Sequence, residues 1–221
     1  MASLSVHLHL LRSALLARLR DTADPLPGPH AQALMAPMQE RQNPALINPL
    51  GKTCRSAAVL MLLYNDAGGH ARFVLTQRPE TMRDHSGQIS FPGGRIEDGE
   101  TALGAALRET EEEVGVAVAE EAVLGTLSGL YIPPTRFCVT PFVAALDDRP
   151  DFALNRIEVA RLIEAYVAEL LDPDNVRTTV RHIRGVDYEV PYFALSGHVV
   201  WGATAMMLAE FRAVLRAVLS D

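Results

Sequence analysis

The sequence predicts an α+β domain, and three observations carry that prediction. Strand-like and helix-like runs are mixed without the strict alternation of a doubly wound sheet. Hydrophobic residues make up 48% of the 221 residues and charged residues 21%, the balance of a chain that buries a core. No apolar stretch approaches the ~18 residues of a membrane-spanning helix. The formal net charge is −7. That is the wrong sign for gripping a nucleic-acid backbone, but not for holding a small polyanion through a divalent metal. The expected partner is therefore a small molecule, with no nucleic acid and no membrane. The two cysteines, Cys54 and Cys138, are too few for a disulfide framework or a zinc cage. Each is expected to be a small buried hydrophobe in a strand. Nothing here requires an oxidising compartment, and the expected location is cytoplasmic.

Leu4, Leu8, Leu11, Leu15, Leu16 and Leu19 recur at three- and four-residue steps, giving one stripe on a helix over residues 4–20. Arg12, Arg18 and Arg20, with no acid before Asp21, lend this segment some likeness to a transit peptide. An amphipathic packing helix accounts for the same residues. The stripe must be covered, either by the rest of the chain or by the partner of a homodimer. Six prolines between Pro25 and Pro49 make residues 21–51 an extended connection. The chain thus divides into residues 1–52 and residues 53–221.

Ala57–Tyr64 reads as a buried strand, Asn65–Gly69 as a turn and Arg72–Thr76 as the returning strand. A short strand is expected near Gln88–Phe91. Thr101–Val114 is a helix with Thr101 as N-cap, Gly115 as its stop, and Leu103, Leu107, Thr110 and Val114 as its core stripe. Strands follow near Val123–Tyr131, Phe137–Ala145, Arg177–Ile183 and Tyr188–Ala194. A last helix spans Thr204–Leu219, with Trp201 packed into the core at its start.

At about 100° per residue, Glu109, Glu112 and Glu113 fall within an arc of about 100° on the central helix. Like charges so close repel, and a hard divalent cation removes that cost. Oxygen-only donors suit Mg²⁺ or Mn²⁺, with the carbonyl of Gly94 as an additional ligand. The same carboxylates could instead be a solvated acidic face. Upstream, Arg78 and Arg83 lie on a loop that closes on Phe91-Pro92-Gly93-Gly94. Arginines beside an acidic metal site suit phosphate oxygens, and pairing with surface acids is the alternative. His85 lies in the same loop. Gly51-Lys52-Thr53 lacks the first glycine of a phosphate loop.

The spacing from Gly94 through Glu100, Arg108-Glu109 and Glu112-Glu113 to Gly115-Val116 resembles the Nudix box over 23 positions. Thr110 stands where that family usually has an aliphatic residue. The resemblance implies a Nudix fold for residues 53–221, a mixed β-sheet sandwiched between helices. It implies hydrolysis of a nucleoside diphosphate linked to another moiety. Glu109, Glu112 and Glu113 would be metal ligands, assisted by Gly94. Arg108 would orient a helix carboxylate, and Glu100 would brace the loop or bind a further metal. The base would be a helix glutamate or a later carboxylate such as Asp147, Asp148 or Glu158. The run Val74–Gly94 resembles the signature of the coenzyme A pyrophosphatase branch, with Val74 and Pro79 as departures. Thr140-Pro141 and Trp201–Ala205 resemble the same branch. The implied substrate is coenzyme A or a derivative, with Arg78, Arg83 and Phe91 as substrate-binding residues.

Overall fold

The computed structural model describes residues 6–80, 87–183 and 185–220. Its centre is a mixed sheet in the order β3-β2-β1-β7-β5, where β1 is Arg55–Asn65, β2 Ala71–Gln77, β3 Ile89–Ser90, β5 Val123–Thr126 and β7 Phe137–Ala145. β1 and β7 run parallel over nine paired positions, and every other pairing is antiparallel. β4 (Gly93–Arg95) pairs with β1, β6 (Leu130–Ile132) with β7, and β8 (Arg161–Tyr166) with β2. A second sheet holds β9 (Val176–Ile183), β10 (Val186–Leu195) and β11 (His198–Trp201).

Strand alternation gives the main sheet two buried faces. Met61 and Leu63 of β1 join the larger core, beneath α1 (Leu8–Arg20) and α6 (Gly202–Ser220). Leu60, Leu62 and Tyr64 join the smaller core, beneath α4 (Ala102–Val114). The sheet is therefore sandwiched between helices, the arrangement the Nudix resemblance implies.

The leucine stripe of α1 is covered within the chain. Leu8, Leu11, Leu15 and Leu19 are buried and Leu16 is half-buried, while Leu4 lies outside the described residues. The proline-rich segment is not simply extended. It contains α2 (Gly28–Ala33), α3 (Met38–Gln42) and a 3₁₀ turn at Pro44–Leu46. Proline fits the first turn of a helix, where its missing N–H has no partner to lose. α2 is anchored from afar by Glu210 of α6, a fully buried carboxylate that accepts from Gly28 N, Gln32 Nε2 and Ser128 N.

Other expectations change too. The strand expected over 123–131 is two, β5 and β6. β8, β11 and α5 (Val167–Leu171) fall where no element was expected. Trp201 ends β11 and is half-buried, not core. Cys54 and Cys138 are not free thiols; they form a disulfide with Cα atoms 5.7 Å apart, beside the Ser56–Cys138 register of β1 and β7. None of the described helices is long and apolar enough to cross a membrane.

Candidate active site

Local chemistry fixes the helix that carries the carboxylates. Thr101 Oγ1 accepts from Gly104 N at 3.0 Å, and Gly115 ends the helix at φ +74°. A Cβ at Gly115 would come within 2.6 Å of Ala153. The buried stripe is rotated from the expected one. Ala105, Ala106, Thr110 and Val114 are fully buried, and Leu103 and Leu107 only partly. Thr110 Oγ1 donates back to the Ala106 carbonyl at 2.7 Å, which spares its hydroxyl an unpaired burial.

This rotation takes Glu113 off the solvent face. It is 5% exposed, Glu109 is half-buried and Glu112 is exposed. Burial, reinforced by repulsion from Glu109 and Glu158, pushes the Glu113 carboxyl up to about 8, against the opposing charge of Arg78. Burial also raises Glu109, while Arg108 opposes the shift. Arg108 spans three carboxylates. Its Nε and Nη2 meet Glu100 at 2.9 and 3.1 Å, and its Nη1 lies 3.1 Å from Glu109 and 3.2 Å from Glu112. Glu100 also accepts from the Glu97 N–H at 3.0 Å, and these bonds, the one from Arg108 first, hold its carboxyl below the usual range.

The glycine turn fits against this helix. Gly94 pairs with Ala58, and a Cβ on Gly94 would lie 2.2 Å from Glu109 Oε1. Loop 153–160 closes the other side: Asn155 N donates to the Glu113 carbonyl at 3.0 Å, and Asn155 Nδ2 holds Glu158 Oε1 at 3.1 Å. Ala160 N bonds to Gln77 O, next to Arg78. Glu113, Arg78 and Glu158 thus come together from three separate stretches of sequence. Asp147 does not join them; it pairs with Arg12 at the Asn65 end of β1. Phe91 is 1% exposed and packs in the larger core, so the substrate contact expected there becomes a packing contact beneath the turn. Arg83 and His85 lie outside the described residues. Asn155, which orients Glu158, carries no local signal in the sequence.

Among the described residues no three acidic, histidine or cysteine side chains already surround one point as a metal shell. Arg108 draws Glu109 and Glu112 toward itself. Two features nonetheless fit a cation. Glu113 Oε2 is buried with no hydrogen-bond partner among the described residues, and Gly94 leaves Glu109 a slot that any side chain would fill. The donor set is oxygen only, which suits a hard divalent ion.

A mixed sheet between helices, with an acidic helix packed against a Gly-Gly turn, is the fold of a Nudix-type protein. Residues 55–177 match the NUDIX domain family, and the chain belongs to that family. It is 34% identical to the uncharacterized Nudix hydrolase NudL of Klebsiella pneumoniae (strain 342) over 161 residues, 71% of this chain and 80% of that protein. It is 32% identical over 157 residues to the NudL of Yersinia pestis (strain Pestoides F), covering 71% and 77%. Two solved structures share the fold. The MutT/nudix family protein from Enterococcus faecalis has TM-score 0.55 and 14% identity, covering 85% of this chain and 73% of that one. The M. smegmatis Nudix hydrolase RenU has TM-score 0.50 and 23% identity, covering 74% and 86%. Nudix hydrolases generally use divalent metals such as Mg²⁺ or Mn²⁺ and act on small-molecule substrates.

Proposed function

We propose that this Nudix hydrolase cleaves the diphosphate bond of coenzyme A or a derivative, releasing 3′,5′-ADP and 4′-phosphopantetheine or its acyl form. The observation that carries this reading is the position of Arg78. The run resembling the coenzyme A branch carries its first arginine to the side of the site closed by loop 153–160, where its charge opposes the rise of the Glu113 carboxyl, and then folds into Gly93-Gly94. Glu109, Glu112 and Glu113, with the Gly94 carbonyl, are the residues that would hold Mg²⁺ or Mn²⁺. The bound cation supplies charge neutralisation on the diphosphate and a more acidic water.

The chain's own groups do the rest. Arg78 grips a diphosphate oxygen, and Arg83 is assigned a second phosphate contact. Arg108, clamped by Glu100, positions Glu109 and Glu112. Glu158, held by Asn155, is the best-placed later carboxylate to take the proton of the attacking water.

The test is incubation of the purified chain and Mg²⁺ with coenzyme A, its 3′-dephospho form and ADP-ribose, with products identified by mass. Coenzyme A should be preferred over the dephospho form roughly ten- to a hundredfold in kcat/KM, the worth of one charge-assisted contact at about 1.5–3 kcal/mol. Preferential cleavage of ADP-ribose would overturn the reading.

A further inference from the structure

The small sheet sorts its charge by face. Strand alternation and register place Arg177, Arg181, Tyr188, Tyr192, Val199 and Trp201 on one side. The sheet's two acids, Asp187 and Glu189, alternate to the other side, where Asp187 pairs with His182. In a chain of net charge −7, the first face therefore carries two arginines and no carboxylate among its described side chains. Tyr188 is 41% exposed and Val199 36%. Arg181 sits over the Trp201 ring, 5.2 Å from its centroid. Its Nε is buried without a hydrogen-bond partner among the described residues.

Aromatic rings beside guanidinium groups that form no ion pair among the described residues suit a planar base that bears a phosphate. The location suits it as well. β11 packs beside β3, and Thr204, just past β11, donates to Ile89 O at 2.9 Å. β3 pairs with the end of β2, from which Arg78 enters the carboxylate site. We propose that this face holds the base and 3′-phosphate of the nucleotide half of the substrate. Trp201 is the stacking ring, and Arg181 and Arg177 are the phosphate donors. The inference rests on the coenzyme A reading, in which Arg78 is engaged by the diphosphate and the 3′-phosphate needs a cation of its own.

Trp201 is the chain's single tryptophan, so its fluorescence reports on this face. Titration of the full chain with 3′,5′-ADP should quench it saturably, with affinity about tenfold tighter than for 5′-AMP. Arg181→Gln should remove that advantage. In turnover it should raise KM for coenzyme A about tenfold and KM for the 3′-dephospho form by less than about twofold. Arg177→Gln, at an exposed position, should show the same pattern, and serves if Arg181→Gln folds poorly. No quenching, equal affinity for the two nucleotides, or discrimination lost in Arg83→Gln but kept in Arg181→Gln would overturn the inference. Cleavage of coenzyme A with none of these effects would remove this face and leave the substrate reading standing. Selective 3′,5′-ADP binding by a chain that does not cleave coenzyme A would do the reverse.

Discussion

Two adjacent glycines meet different obstacles. A Cβ on Gly93 would lie 2.4 Å from the Ala58 carbonyl oxygen and 2.6 Å from Val59 Cα, and its φ is +149°. Backbone cannot yield there, so Gly93→Ala should cost about 1–3 kcal/mol of stability. The atoms nearest a Cβ on Gly94 are the carboxylate end of the Glu109 side chain, which can swing aside where backbone cannot. Gly94→Ala should therefore leave the thermal midpoint nearly unchanged and lower kcat/KM about a hundredfold. Melting curves and initial rates on the pair separate the two cases. Glu113 makes a pH prediction. Its folded-state pKa of about 8 lies above the ordinary 4.5, so the folded chain binds that proton more tightly than the unfolded one. The associated stability is complete below the ordinary carboxylate range and is lost as pH rises through about 8. Metal-free protein should denature more easily at about pH 8 than at about pH 5. Glu113→Gln should flatten that slope, and Mg²⁺ should restore the wild type at the higher pH.

At the scale of elements, α4 is held by its own ends. Thr101→Ala removes the cap on Gly104 N and should cost about 1 kcal/mol in urea denaturation, with turnover retained at saturating metal. This helix was legible in the sequence because its cap, its stop and its carboxylate spacing are all local. β8 was not. Residues 159–171 are rich in Ala, Leu and Glu, which favour helix, and pairing of Arg161–Tyr166 with β2 overrides that preference. α2 was hidden for a similar reason: prolines mark the segment as a connection, and Glu210, nearly 180 residues away, is what fixes it. The candidate site divides the same way. The box residues could be read from their spacing, whereas the meeting of Asn155, Glu158 and Arg78 with Glu113 depends on loops that only the folded sheet brings together.

For the molecule as a whole, one core extends from the N-terminal segment into the catalytic body. Leu15 is fully buried in the cluster that also holds Phe211 and Leu215 of α6. Leu15→Ala should cost about 2–5 kcal/mol in chemical denaturation, with the oligomeric mass on light scattering unchanged, because the stripe is already covered in cis. The Cys54–Cys138 bridge acts at the same scale through the unfolded chain. It closes a loop of sequence separation 84, and the whole acidic helix lies inside that loop. Closing a loop of that length removes chain entropy worth about 4–5 kcal/mol from the denatured ensemble. Neither sulfur belongs to the carboxylate cluster. Reducing the bridge should therefore lower the melting temperature while the chain that stays folded keeps its turnover, checked by melting curves and initial rates with and without a thiol reductant: one folded site, with two thresholds for losing it.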